Sequence, residues 1–122
     1  MSTSRILVVD DDPDLRRLVE VTLSFEKTYE VSQASSCKEA VEALERQAPD
    51  LVILDLNLGE AEDDGFSVCS RARELEHPPK VIMVTGSVSS QDQDRCLQLG
   101  AVAYLTKPFR PLQLLELVKE CL

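Results

Sequence analysis

The chain has 122 residues, room for one hydrophobic core and not two. Its 43% apolar and 29% charged residues are ordinary for a soluble globular protein. Against 22 acidic residues stand 13 basic ones, and the net charge of -9 has the wrong sign for gripping a nucleic-acid backbone. No apolar run approaches the roughly 20 residues of a membrane span. The opening Met1-Ser2-Thr3-Ser4-Arg5 has no signal-peptide apolar region, so a cytoplasmic location is expected.

Short apolar runs alternate with amphipathic stretches, a strand-helix unit repeated five times. Such alternation predicts βαβ units and a parallel sheet with helices on both faces. The first run is Ile6-Leu7-Val8-Val9, followed by Asp10-Asp11-Asp12. A helix should start there, with Asp12 as N-cap and Pro13 at its first position. Its inner stripe reads Leu15, Leu18, Val19, Thr22 and Leu23. A short strand is expected near Tyr29 to Gln33, then a capping box at Ser36 and Glu39 opening a helix to about Gln47. Pro49-Asp50 precede the run Leu51-Val52-Ile53-Leu54, which ends in Asp55.

The connection Leu56 to Gly65 is long and acidic for a βα loop, which usually takes two to six residues. A third helix is predicted from about Phe66 to Glu76. The run Val81-Ile82-Met83-Val84 leads into Thr85-Gly86, and a fourth helix should span Ser90 to Leu99, stopped by Gly100. The last run, Val102-Ala103-Tyr104-Leu105, leads into Lys107-Pro108. The final helix should start near Pro111 and bury Leu112, Leu115, Val118 and Leu122. Cys37, Cys69, Cys96 and Cys121 are scattered without a Cys-x-x-Cys pair, which fits reduced helix thiols and not a zinc site. His77, the one histidine, lies before Pro78-Pro79 in a connection and reads as a solvated loop residue.

Asp10, Asp11, Asp55, Asn57, Thr85 and Lys107 all stand at or just after a strand's carboxyl end, where an open parallel sheet binds its ligands. Three carboxylates about 5 Å apart repel by roughly 3 kcal/mol per pair at an effective dielectric near 20. They should therefore take up a proton or bind a cation. Oxygen-only ligands select a hard cation, and a site with few protein ligands suits Mg²⁺, with Mn²⁺ as its substitute. Helix capping and strand solvation account well for Asp12, and poorly for three acids in series beside a fourth. Beside a metal, a carboxylate can attack a phosphoryl group, with cations and donors neutralising the equatorial oxygens. Asp55 is the best nucleophile candidate, with Lys107 and Thr85 as partners of the transferred oxygens. The Asn57 carbonyl, two residues on, can reach the same metal.

The motifs Val8-Val9-Asp10-Asp11-Asp12, Leu54-Asp55, Val84-Thr85-Gly86 and Tyr104-Leu105-Thr106-Lys107-Pro108-Phe109 resemble the receiver domain of two-component response regulators. The resemblance covers essentially the whole chain, with the motifs in order. It implies a flavodoxin-like (βα)5 fold, a doubly wound five-stranded parallel sheet of order 2-1-3-4-5. Residues 1-122 would form one receiver domain, standing alone or cut from a longer protein. The resemblance also implies that a sensor histidine kinase or histidine phosphotransfer protein phosphorylates Asp55. In that reading Asp11 is the direct Mg²⁺ ligand, Asp10 holds a metal-bound water, and Asp55 and the Asn57 carbonyl complete the protein's share. Lys107 pairs with the phosphoryl group, and its bond to Pro108 is expected to be cis. Thr85 and Tyr104 resemble a switch pair that re-poses the fourth helix, last strand and last helix. That face would then signal to a downstream effector or a covalently linked output domain.

The chain departs from the family pattern in three places. Gly59 stands where a proline is usual, in a loop about two residues longer than usual; a tolerated insertion and a mobile or partner-contacting loop both fit. Ser87 offers no acid or amide to orient attacking water, so self-dephosphorylation should not be unusually fast. The residues before Tyr104 lack the acids that build a salt-bridged dimer face in one large subfamily. Partners would then read the apolar Val102, Phe109 and Leu112 region. Two other classes of function compete. An aspartyl-nucleophile phosphohydrolase usually needs a second carboxylate where Asn57 stands, and a cap domain besides. A pseudo-receiver scaffold typically loses the acid pair, the acceptor or the lysine. The favoured reading is thus a signalling domain that promotes only its own phosphorylation, not an enzyme acting on free metabolites, and one without membrane or direct nucleic-acid contacts.

Overall fold

A computed structural model of the protein describes residues 3–59, 64–86 and 90–122. The strands are β1 (Ser4–Val9), β2 (Tyr29–Ala34), β3 (Leu51–Asp55), β4 (Lys80–Thr85) and β5 (Ala103–Thr106). They alternate with helices α1 (Pro13–Leu23), α2 (Cys37–Gln47), α3 (Asp64–Arg73), α4 (Ser90–Gln98) and α5 (Pro111–Cys121). The sheet is parallel throughout, in the order β2-β1-β3-β4-β5, the flavodoxin-like order expected from the sequence.

Successive strand residues point to opposite faces, so the core divides in two. Leu7, Val9, Val52, Leu54, Val81 and Met83 pack under α2, α3 and α4. Ile6, Val8, Leu51, Ile53, Ile82 and Val84 pack under α1 and α5. β3 is buried along its whole length, which explains its unbroken apolar run.

Helix ends are set by local chemistry. Asp12 caps α1, its side chain accepting the Asp14 N–H at 2.9 Å. The Ser36 hydroxyl caps α2 by accepting the Glu39 N–H. The Glu39 carboxylate, however, takes the N–H and hydroxyl of Ser35, each at 2.7 Å. One half of the expected box is thus present, and its reciprocal half is displaced by one residue. At the end of α4, Gly100 (φ +88°) closes a Schellman motif: its N–H reaches Leu97 O and the Ala101 N–H reaches Cys96 O.

Four expectations need correction. On α1, Val19, Thr22 and Leu23 are buried, but Leu18 is 40% exposed. On α5 the buried residues are Leu114 and Val118, whereas Leu112 is 63% exposed and Leu122 also lies outward. In so leucine-rich a helix the 3.6-residue spacing admits two stripes, and docking against α1 selects the one through Leu114. Helix α3 begins at Asp64 and ends at Arg73, two and three residues before the expected bounds. The Gly65 N–H bonds to Leu56 O at 2.8 Å and starts α3 early, and 74–75 tighten into i→i+3 bonds beyond it. The last strand lies one residue later than its apolar run, ending at Thr106.

All four cysteines are free, Cys69 and Cys96 being fully buried. Burial pushes the Cys69 thiol up to about 11, as suits inert core sulfur. His77 is exposed in the α3–β4 connection. Among the described residues no helix is long and apolar enough to cross a membrane.

Candidate functional site

The sheet reverses its direction of growth between β1 and β3, and the chemistry gathers at the carboxyl ends of those strands and of β4 and β5. Asp10 follows β1, Asp55 closes β3, Thr85 closes β4, and Lys107 comes directly after β5. Carboxylate oxygens of Asp10, Asp11 and Asp55 lie within 4.8 Å of one another. Asp10 and Asp55 are buried, while Asp11 faces solvent.

Lys107 joins two of these acids. Its ammonium donates to Asp10 Oδ2 and to Asp55 Oδ2, both at 2.9 Å. Asp10 Oδ1 accepts the Asp12 N–H at 2.9 Å, and Asp55 Oδ1 accepts the Asn57 N–H at 3.1 Å. Each oxygen therefore keeps a lone pair for a further partner. The Lys107-Pro108 peptide is cis, as the resemblance implied. The Lys107 N–H bonds to Thr85 O at 2.8 Å, which ties the lysine's backbone to the end of β4.

Burial raises the Asp55 carboxyl above its ordinary range, against the lowering effect of the Lys107 and Asn57 hydrogen bonds. The neighbouring Asp10 adds to the rise. Burial alone would lower the Lys107 ammonium, but the bonds and charges of Asp10 and Asp55 outweigh it and hold the group above its usual value. Three carboxylates facing one ammonium leave an excess of negative charge. An all-oxygen donor set with that excess fits a hard divalent cation and gives a soft metal no ligand.

Thr85 is buried, 2% exposed. Tyr104 is half-buried against the α2–α4 side of the core, in register with Met83 on β4. Gly86 has open space where a side chain would stand. Ser87 and the acidic stretch 60–63 lie outside the described residues, as do the expectations placed on them.

Three positions gain a meaning here that the sequence reading did not give them. Gly59 sits at φ +80°, and a Cβ there would stand 2.8 Å from Asp11 Oδ2. Proline cannot adopt that φ, so this chain's departure from the family proline goes with a loop lying against the Asp11 carboxylate. Gly65 is the second. A Cβ would stand 2.2 Å from Asp55 O and 2.7 Å from the Leu56 backbone. Gly65→Ala is thus expected to cost about 3 kcal/mol, because backbone and not a flexible tip must yield. Urea denaturation checks this, and a loss under about 0.5 kcal/mol would mean that α3 shifts freely at its start. The third is Arg16 of α1, whose Nη1 donates to Asp10 O at 2.7 Å. A cation near the start of a helix opposes the helix dipole, the one sequence signal that could have singled it out.

The fold is that of a flavodoxin-like domain, with an acidic crevice at its switch point that could hold a divalent cation. Residues 6–119 match the family model described as the response regulator receiver domain. The regulatory protein VanR of Enterococcus faecium is 38% identical over 117 residues, covering 96% of this chain and 49% of its own. The chain thus spans about half the length of that relative. Among solved structures, a CheY-like response regulator receiver domain protein from Methanospirillum hungatei superposes with a TM-score of 0.88 at 36% identity, covering 98% of this chain and 93% of its own. The chemotaxis protein CheY4 of Vibrio cholerae reaches 0.90 at 28% identity, covering 99% of this chain and 100% of its own. The chain belongs to the response regulator receiver domain family, the signalling domain of two-component systems.

Proposed function

We propose that residues 1–122 act as one phosphoacceptor receiver domain, alone or within a longer protein, in the cytoplasm. A histidine kinase or histidine phosphotransfer protein donates the phosphoryl group, and Asp55 receives it. The observation that carries this reading is the gathering of three carboxylates within 4.8 Å around a shared Lys107 ammonium.

Asp11, Asp55 and the Asn57 carbonyl would hold Mg²⁺, with Asp10 behind them. When bound, the ion neutralises charge on a phosphoryl oxygen. An Asp55 carboxylate oxygen forms the new bond to phosphorus as the bond from phosphorus to the donor nitrogen breaks. Lys107 already bonds to Asp55 Oδ2, so its ammonium is placed to pair with a second oxygen. Thr85 would donate its hydroxyl to the third, drawing the end of β4 inward. The space opened behind it would admit the Tyr104 ring and re-pose the α4-β5-α5 face, which an effector or linked output domain reads. Coupling of this kind is typically worth about 1–3 kcal/mol.

The test is titration of the wild-type protein with beryllofluoride and Mg²⁺, followed by amide NMR. Saturable, Mg²⁺-dependent shifts at Asp55 that extend to Thr85, Tyr104 and α5 are expected. Absence of binding would overturn the phosphoacceptor reading and leave a scaffold. Binding confined to the crevice would overturn the relay.

A further inference from the structure

The main chain must leave the sheet between Asp10 and Pro13 while holding two carboxylates in place. Asp10 is fixed at each of its polar atoms. Its N–H continues the ladder to Ala34 O at 3.1 Å. Its Oδ1 accepts the Asp12 N–H and its Oδ2 the Lys107 ammonium. Its carbonyl, which has left the ladder, accepts from Arg16 Nη1 at 2.7 Å in a part-buried bond.

Arg16 is itself braced. Its backbone N–H closes the first turn of α1 on Asp12 O at 3.1 Å. Its Nε donates to Gln33 Oε1 on β2 at 3.1 Å. Gln33 Nε2 in turn donates to the Glu20 carboxylate, one turn further along α1. One planar fork therefore spans the end of β2 and the end of β1, from a helix anchored on the same turn.

We infer that Arg16, braced by Gln33, is a positioning residue that fixes the Asp10-Asp11 turn in its metal-binding shape. The inference rests on reading the crevice as a divalent-cation site, and it concerns how this chain sets that site's affinity. Charge and position make opposite predictions here. As a nearby cation, Arg16 repels Mg²⁺, so its removal should tighten binding. As a brace, its removal frees the turn and weakens binding, as loss of an outer-shell partner does.

The experiment is titration of the intact chain with MgCl₂ alone, by calorimetry and amide NMR. Wild type, Arg16→Met, Arg16→Lys and Gln33→Leu are compared, with a melting temperature for each. Arg16→Met should raise the Mg²⁺ dissociation constant about tenfold. Arg16→Lys, with one donor direction instead of a fork, should fall between it and wild type. Gln33→Leu should also weaken binding, although it removes no charge. In the metal-free proteins the Asp11 and Asp12 amide resonances should move in the same order.

Unchanged or tighter binding in Arg16→Met, with wild type binding normally, overturns the positioning role alone. So does a loss that follows the melting temperatures and spares Gln33→Leu. Wild type that takes up no Mg²⁺ overturns the reading of the crevice, and this inference with it. Should Arg16→Met fail to fold, Arg16→Lys and Gln33→Leu decide the matter.

Discussion

Asparagine in place of Asp55 is expected to leave a protein that accepts no phosphoryl group yet resists urea better than wild type. The first half follows from valence: an acyl phosphate needs a carboxylate oxygen as nucleophile, and an amide supplies none. The second half follows from the crevice. Burial and the neighbouring Asp10 disfavour the ionised form of Asp55 more than its hydrogen bonds favour it. The amide keeps the shape, removes the charge, and leaves Lys107 bonded to Asp10. Incubation with a small acyl phosphate, read by mass, checks the chemistry; the metal-free urea midpoint checks the stability. Phosphate retained on the variant would place the acceptor elsewhere, and a midpoint that falls would mean that the Lys107 bond outweighs burial.

Lys107→Met should have the opposite effect on stability. Among the described residues it removes the one ammonium bonded to both Asp10 and Asp55. Breaking a buried pair from one side typically costs about 3 kcal/mol or more, since the partner charge stays behind. Phosphorylation should slow on the order of a hundredfold, the cost of losing one preorganised charge at the developing oxygens. Because a divalent cation can stand in for part of the lost charge, Mg²⁺ should restore more stability to this variant than to wild type. Equal stabilisation of both proteins by saturating Mg²⁺ would show that lysine and metal do not serve the same carboxylates.

Much of this arrangement is legible in the chain because strand ends announce themselves. Four unbroken apolar runs, each followed by a polar residue of definite chemistry, name the elements and the rim of the sheet at once. Alternation along β1, β3 and β4 could not say which face each residue takes, since both faces are buried there and nothing polar marks an outside. Leu18, Leu112 and Leu122 lie outside the buried stripe for a related reason: an apolar-rich helix has more leucines than its buried stripe can hold, and only tertiary docking chooses among them. Gly65 reads in sequence as an ordinary turn glycine; its need is seen only when Asp55 O is found against it. Arg16 and Asp10 are six residues apart, but their bond depends on a β1–α1 turn that no local pattern specifies.

The lysine's reach also bears on how the protein is made. Lys107 and Asp10 are 97 positions apart in the chain, and between their strands lie β3 and β4. A chain emerging from the ribosome carries the crevice's acids long before it carries their counter-charge. Until β5 docks on β4, the rim of the half-built sheet repels itself, and a truncated product stays in that condition. The last strand to be synthesised thus completes the sheet and brings the lysine that offsets part of its rim's charge in one event. Fragments ending before it should be open, salt-sensitive species and ready substrates for a protease.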